Sequence, residues 1–519
     1  MTSPLRVAVY DHYWTTYGGG EQFAGGIAAA LVERYHVDLL GPHPIDVARF
    51  REQLGVDLSG CDRVEVHGDD VGAASANYDL FVNCTYKSKA PNRATHGLYI
   101  AHFPGEPDRR DRLDRVRRAG LKARATRPSI VLRSGFLEPL SADAARSTDG
   151  AAVLDVYAPA DLKVELTVVA PNWPGEPPVV RAWDGRRMLA EATVPASGSA
   201  TLSFVTSGGS PMGVWIEGPS YRDPTRPDTL RYIGVSLAQV TIDGSVVALP
   251  RNGLAARLLP PDRYGTLDTY DAIAANSAFT AGWIERLWGR PSRVLYPPVG
   301  LRPRSTNPGK RILTIGRFFD PARGHSKKQL ELVSAFAKLH RRGHADGWEL
   351  HLVGGASGED RAYAMAVKEA VRGLPAHVHF NAPGWLLAEL LDTSSVYWHG
   401  AGIGENPRDH PERFEHFGIS VVEAMSAGLV PVVFGAAGPA EVIEDGRSGV
   451  LVDDVAGFVA ATEVLVADDA RRFELSDGAH LRAVDFGRDA FALRLHALVD
   501  ELVSGSPAAG RRTGEGLGG

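Results

Sequence analysis

Short apolar runs that stop at a loop and resume as a helix occur at both ends of this chain and vanish in its middle. That interruption constrains the architecture more than any other feature. Near the N-terminus "LRVAVYDHYW" reads as a strand running into the glycine loop "TTYGGGEQF" and then the helical "AGGIAAALVERY". "HVDLLG", "YDLFVNC" and "THGLYIAHFP" are further apolar strands, as a sheet covered on both faces requires. Residues 1 to about 108 therefore predict a parallel sheet flanked by helices. The same rhythm returns in "KRILTIGRFF", "WELHLVGG", "HVHFNAPG", "SSVYWHGAG", "LVPVVFG" and "GVLVDD", which predicts a second, doubly wound α/β domain.

Between about 150 and 248 the period becomes two. "LKVELTVV", "ATLSFVT" and "GVSLAQVTIDG" alternate, and turns such as "PNWPGEPP" and "SGGSPMG" separate them, so an antiparallel β-sandwich is expected. "YDAIAANSAFTAGWIERLWG" then restores a strand and a helix, which makes the sandwich an insertion into the first domain. "VLYPPVGLRP" reads as a linker, because paired prolines favour extended backbone. The expected division is 1–125 and 251–305 for the first domain and linker, 126–250 for the insertion, 306–503 for the second domain and 504–519 for a disordered tail. The last helix, "RDAFALRLHALVDELV", aligns Phe491, Leu495, Leu498 and Leu502 on a stripe that should dock on a domain face.

Charge and cysteine content narrow the function classes. A net charge of −6 gives the whole chain no nucleic-acid footprint. Only Cys61 and Cys84 occur, which fits a reducing compartment rather than a disulfide framework. No apolar run approaches the roughly 20 residues of a membrane span, and the first residues lack a signal-peptide core, so a cytoplasmic location is expected. One segment departs from the average. Residues 109–127 carry nine Arg or Lys against two Asp, enough to hold the protein peripherally on an anionic membrane face; the alternative is an exposed helix or linker.

Two facing α/β domains make a cleft, and ligands bind beyond the carboxyl ends of parallel strands. In "EHFGISVVEAMSAG" a loop leads into a helix that ends at Gly428, and Glu415 and Glu423 flank the turn with seven residues between them. Free N–H groups near Phe417 and Gly418 could bind hydroxyl or phosphate oxygens there. The acids could accept hydrogen bonds from the hydroxyls of a sugar nucleotide. Equally, Glu415 could cap the helix and Glu423 could lie on a solvated face; spacing alone leaves both readings open.

The stretch "EHFGISVVEAMSAGLVPVVFGAAGPAEVIEDGRSGVLV" resembles the Glu-x7-Glu signature of the retaining glycosyltransferases of family 4. "YGGGEQF", "AHFP", "IAANSAFTAGWIERLWG", "YPPV" and "IGRFFDPARGHSKKQLELVSAF" are similar to that family's glycine loop, histidine loop, last N-domain helix, linker and diphosphate-gripping segment. The resemblance covers residues 1–108 and about 268–500 and implies two Rossmann-like doubly wound domains facing a cleft, the GT-B fold, with the β-sandwich as an addition. It implies that Glu423 binds ribose hydroxyls and that Glu415 contacts the transferred sugar, helped by the Phe417 and Gly418 amides. Arg317 and Lys328 would neutralise the diphosphate, with Lys327 as the alternative. Gly19 and Gly20 would let the backbone approach a phosphate, and His102 would sit by the donor sugar.

No Asp-x-Asp loop is evident, so neither metal nor cofactor is expected, and Arg317 and Lys328 would take a divalent ion's part. Retention through a front-face route would make Glu415 a positioning group rather than a nucleophile. "ERFEHFG" and "GRFF…HSKKQ" look most similar to mannosyltransferases of lipid-linked oligosaccharide assembly, which implies GDP-mannose as donor and a glycan or lipid-linked acceptor. A sugar-nucleotide epimerase and a non-catalytic glycan-binding protein are the other classes. For the latter, Trp173, Trp183 and Trp215 would be sugar platforms, against the more ordinary reading of core tryptophans.

Overall fold

The computed structural model describes residues 5–67, 70–105, 128–137, 145–196, 198–208, 212–222, 232–249, 266–356 and 358–504. The basic segment 109–127 and residues 505–519 of the expected tail lie outside these. Among the described residues no helix is long and apolar enough to cross a membrane.

The first sheet begins with β1 (Arg6–Tyr10), β2 (His36–Gly41), β3 (Asp62–Glu65), β4 (Leu80–Asn83) and β5 (His96–Ala101), alternating with α1 (Gly19–Leu31), α2 (Val47–Leu54) and α3 (Val71–Ser75). Strand β1 explains the unbroken apolar run: Val7 and Val9 enter one buried cluster while Ala8 and Tyr10 enter another on the opposite face. Covered on both sides, the strand has no polar face to alternate with.

The chain then leaves this sheet for the antiparallel strands β6 (Ser129–Phe136), β7 (Arg146–Tyr157), β8 (Lys163–Val169), β9 (Val179–Asp184), β10 (Arg187–Thr193), β11 (Ser199–Val205), β12 (Met212–Glu217), β13 (Tyr221–Arg222), β14 (Tyr232–Ile233), β15 (Ser236–Ile242) and β16 (Ser245–Val247). Nine of these form one hydrogen-bonded sheet, seven along the path β10-β9-β12-β7-β15-β8-β11, with β16 on β15 and β6 on β7. Leu154, Leu166, Val180, Leu202, Val214 and Leu237 from six of the strands share one buried cluster. The chain returns through β17 (Ala272–Ala275), α4 (Ala278–Trp288) and β18 (Arg293–Val294), and β17 pairs in parallel with β5, so the antiparallel strands are inserted between two neighbours of the first sheet. That sheet runs β18-β17-β5-β4-β1-β2-β3.

Trp183 and Trp215 are buried, and they hold the insertion onto the first sheet rather than facing a glycan. The Arg93 guanidinium, from the loop before β5, lies 4.9 Å from the Trp183 ring and 5.5 Å from the Trp215 ring and pairs with Glu217 at 2.5 Å. Arg186 adds bonds to the Thr269 carbonyl at 2.8 Å and to Asp271 at 2.7 Å. Trp173 packs on the insertion's own core, edge-on to Tyr221.

The second sheet comprises β19 (Arg311–Ile315), β20 (Glu349–Gly354), β21 (Ala376–Phe380), β22 (Val396–His399), β23 (Val430–Phe434) and β24 (Val450–Val452), all parallel, in the order β21-β20-β19-β22-β23-β24. Its helices are α5 (Gln329–Arg341), α6 (Arg361–Ala370), α7 (Gly384–Thr393), α8 (Ile419–Ser426), α9 (Gly438–Val442), α10 (Val455–Ala467) and α11 (Asp469–Ala483). The last helix, α12 (Arg488–Val503), crosses back: Phe491, Leu495 and Val499 are buried in the core of the first sheet, with Leu498 and Leu502 flanking them and Phe491 edge-on to Phe23 at 6.0 Å.

Candidate active site

A doubly wound sheet of this strand order opens a crevice where its winding reverses, here between β19 and β22 at their carboxyl ends. The chain leaves β19 at Gly316 and Arg317 and leaves β22 at His399 and Gly400. Side chains from these two exits meet at Glu415.

The Glu415 side chain is 15% exposed and contacts Lys327 Nζ directly, His399 Nε2 at 3.1 Å and His325 Nε2 at 3.9 Å. Burial by itself would raise its pKa, but Lys327 and the two histidines outweigh that and hold the carboxyl well below the usual range. Burial works the other way on the imidazoles. It lowers His325 to about 3, with Lys327 adding to the effect, and His416 to about 4, and it lowers His399 as well. At neutral pH the cluster therefore sets one carboxylate and three neutral rings beside Lys327. Lys327 reaches this place because residue 316 is glycine: a Cβ there would lie 2.5 Å from Lys327 Cγ.

Lys328 goes elsewhere. It has φ of 56° at the start of α5, and its Nζ pairs with Glu405 at 2.7 Å, while Arg413 holds the other Glu405 oxygen at 3.2 Å. The two neighbouring lysines thus reach different carboxylates. Lys327, not Lys328, is the lysine on Glu415, because the left-handed residue 328 turns the chain between two neighbouring side chains. Arg317 is exposed, its carbonyl accepts from Gln329 Nε2 at 3.0 Å, and its guanidinium forms no ion pair among the described residues.

Helix α8 starts at Gly418, whose φ of 105° is open to glycine alone in practice. The N–H groups of Phe417, Gly418, Ile419 and Ser420 find no acceptor among the described residues, as the first turn of a helix leaves them. Phe417 offers only its backbone, since its ring is buried between Tyr296 and Phe486, each 5.6 Å away. Glu423 lies in the same helix. Burial pushes its carboxyl up to about 7, with Arg302 opposing the shift. Burial also raises the pKa of the Tyr397 hydroxyl; its bond to Ser420 at 2.9 Å opposes this, and Glu415 and Glu423 both raise it further. One buried hydroxyl thus senses both acids.

The first domain closes the other side. A Cβ on Gly19 would lie 3.2 Å from Ile419 Cδ1, and one on Gly20 would lie 3.6 Å from His102 Cε1, so the glycine loop faces the start of α8 and the histidine loop together. His102 Nε2 lies 2.7 Å from the Cys84 carbonyl. A carbonyl only accepts, so Nε2 carries the proton and Nδ1 is left as an acceptor; burial lowers the ring's pKa and keeps it neutral. Next in sequence, Phe103 stacks on His416 with centroids 4.1 Å apart and planes 5° from parallel, joining the two domains.

The site therefore gathers Glu415, Lys327, Glu423, the Phe417 and Gly418 amides, Gly19, Gly20 and His102, and leaves Lys328 aside. His325, His399, His416 and Phe103 were not anticipated. His399 could have been: it ends the strand "SSVYWHG" just as His102 follows "YIA" in "YIAHFP", and ligands of open parallel sheets bind beyond the carboxyl ends of the strands.

Two facing parallel sheets with this crevice define the GT-B class of folds. The solved structure of Anabaena Alr3699/HepE in complex with UDP matches with a TM-score of 0.53 over 96% of this chain and 100% of that chain, at 13% identity. Sucrose-phosphate synthase from Thermosynechococcus elongatus matches with a TM-score of 0.51 over 96% of this chain and 99% of that one, at 14% identity. Likeness at this identity bears on the fold alone.

In sequence, residues 309–468, which carry the second sheet, match the family described as glycosyl transferases group 1. Among curated relatives, the GDP-Man:Man(3)GlcNAc(2)-PP-Dol alpha-1,2-mannosyltransferase of Mus musculus is 28% identical over 38% of this chain and 40% of its own length. The Homo sapiens protein of the same name is 26% identical over 45% and 49%. The D-inositol 3-phosphate glycosyltransferase of Corynebacterium kroppenstedtii is 29% identical over 34% and 38%. This chain spans less than half the length of the curated relatives it matches.

Proposed function

We propose that the protein is a retaining glycosyltransferase that moves a hexose, mannose from GDP-mannose in the first instance, to a hydroxyl of a glycan or lipid-linked acceptor. The observation that carries this reading is the Lys327–Glu415–His399 cluster at the crevice between β19 and β22, beside the open amides of α8. A sugar diphosphate laid there meets cations at one end and hydrogen-bond acceptors at the other. Lys327 and the exposed Arg317 stabilise the diphosphate as its negative charge grows, the α8 amides take a phosphate or hydroxyl oxygen, and Glu423 accepts from the ribose. Glu415 positions the sugar as it leaves the diphosphate, and transfer needs no metal.

On the first-domain side a cavity of about 140 Å³ is lined by Lys87, Lys89, His102, Phe103 and Trp288. It is the natural place for the acceptor, and its lysines suit an anionic headgroup. The protein works at the cytoplasmic face of a membrane, with the basic segment 109–127 as its contact. The antiparallel insertion folds as a sandwich, a separate module within the division 1–125, 126–250, 251–305 and 306–503, and braces the first domain through Arg93. The relatives named for GDP-Man and Man(3)GlcNAc(2)-PP-Dol favour this donor and acceptor.

A thermal-shift screen with GDP-, UDP- and ADP-sugars tests the reading, because a ligand that binds only the native state raises the melting temperature. GDP-mannose is expected to give the largest rise. If no nucleotide sugar moves the transition, the transferase reading falls.

A further inference from the structure

Away from the crevice, three histidines gather on the open edge of the second sheet. Alternation puts Glu349 and His351 on one face of β20 and His377 and His379 on one face of β21, and the parallel register sets His351 beside His377. Leu350 and Leu352 point to the opposite face, into the core. His351 is 7% exposed; its Nε2 lies 3.3 Å from Glu349 Oε2 and its Nδ1 lies 3.1 Å from His379 Nε2. His377 Nε2 lies 4.0 Å from the other Glu349 oxygen.

We propose that Glu349, His351 and His377 form a Zn²⁺ site, with His379 orienting the central ligand. One atom from each of the three lies within 4.8 Å of the others. That spacing accommodates an ion at about 2.0–2.2 Å from nitrogen and carboxylate oxygen, and two histidines with one carboxylate are a known zinc set that leaves a fourth position for water. In the metal-free form a consistent chain runs from His379 Nε2–H to His351 Nδ1 and from His351 Nε2–H to Glu349. Binding reverses it: His351 Nδ1–H donates to His379 and Nε2 turns its lone pair to the ion, so His379 fixes the ligating tautomer. Glu349 and His377 are 42% and 50% exposed, which leaves the ion a route from solvent.

Arg311 on β19 opposes the cation, with its Nε 3.5 Å from Glu349 Oε2 and one terminal nitrogen held by Thr393 at 2.7 Å. Arg311→Met should therefore tighten binding. Glu349 opens β20, whereas the crevice is approached at the strand's other end, Gly354; the ion would pin the edge strand β21 to β20 and take no part in transfer.

The test uses the full chain without a histidine tag, stripped of metal and titrated with Zn²⁺ in a calorimeter. One equivalent should bind at micromolar concentration, with affinity falling about tenfold or more in His377→Ala and in Glu349→Gln. Both residues are exposed enough for the variants to fold. Zn²⁺ should raise the melting temperature of the unmodified chain and leave that of His377→Ala unmoved. His36→Ala, in a second cluster with Asp38 and Asp62, should bind as the unmodified chain does. Absence of stoichiometric binding, equal binding by all variants, or loss confined to His36→Ala would overturn the assignment. Nucleotide-sugar binding uses other residues, so the two readings fail separately.

Discussion

Glu441 of helix α9 accepts the backbone N–H of Phe279, at the start of α4 in the other domain, at 2.6 Å. It accepts that of Ala278 at 2.7 Å and the Tyr296 hydroxyl at 3.1 Å. A carboxylate from the second domain thus occupies the positive end of a helix in the first. Glu441→Ala should destabilise the protein by about 1.5–3 kcal/mol, the range of a hydrogen bond to a charged group. Glu441→Gln should recover part of this. Equilibrium denaturation reads both, and hydrogen exchange at residues 278–280 should quicken in the alanine variant.

Lys327→Met leaves Glu415 buried without its main counter-charge. Near neutral pH this should cost about 3–5 kcal/mol, as breaking a buried pair does, and lower kcat/KM with GDP-mannose by about 100-fold or more if Lys327 also steadies the diphosphate. The sign with pH follows from the depressed Glu415 pKa. Its stabilisation is full above the unfolded value of about 4.3 and disappears as pH falls through the folded one, so the variant and the unmodified chain should converge in stability in acid. Lys328→Met, which removes one of the two cationic partners of Glu405 instead, should affect turnover less. Equal kinetic losses in the two variants would remove the distinction.

Glu423 should give donor binding a pH dependence. With its pKa pushed up to about 7 by burial, only part of the carboxyl is ionised at neutral pH. If the ionised form accepts from the ribose, nucleotide affinity rises as pH goes from 6 to 8 and levels off above. Glu423→Gln should flatten that profile and weaken binding roughly tenfold at pH 8, equivalent to one hydrogen bond to a charged acceptor. Calorimetric titration across the range checks both.

Arg93→Ala should release the insertion. Arg93 and Glu217 have side chains 0% and 3% exposed, so deleting Arg93 takes a buried cation away from the Glu217 carboxylate. A loss of about 3–5 kcal/mol is expected, and Arg93→Lys should not restore it, because an ammonium cannot lie flat on both tryptophans while pairing with Glu217. Limited proteolysis should then cut the junctions of the insertion first.

Gly418→Ala tests the helix start. At φ of 105° an alanine is strained by about 1–3 kcal/mol, and relief requires moving the α8 amides. Donor affinity should fall with stability, while Gly282→Ala, on the surface of α4 with open space at its Cβ, should leave donor affinity unchanged.

How much of this was legible beforehand depends on the range of the forces involved. The two sets of parallel strands announce themselves because burial on both faces removes polar residues from a short stretch, a local signal, and the insertion because alternation with turns is equally local. Glu415, Glu423 and the turn at Gly418 stand within one loop and helix, so their chemistry could be read together. The partners of Glu415 could not. Lys327 and Lys328 are indistinguishable as residue types, and the choice between them depends on backbone curvature at residue 328 and on a contact across 88 positions. The stacking of Phe103 on His416 and the return of α12 to the first domain likewise arise only when distant surfaces meet. Apolar periodicity and glycine placement determined the elements and their class; tertiary packing decided which charges share a hollow, because a side chain's partner and protonation are set by what burial brings next to it.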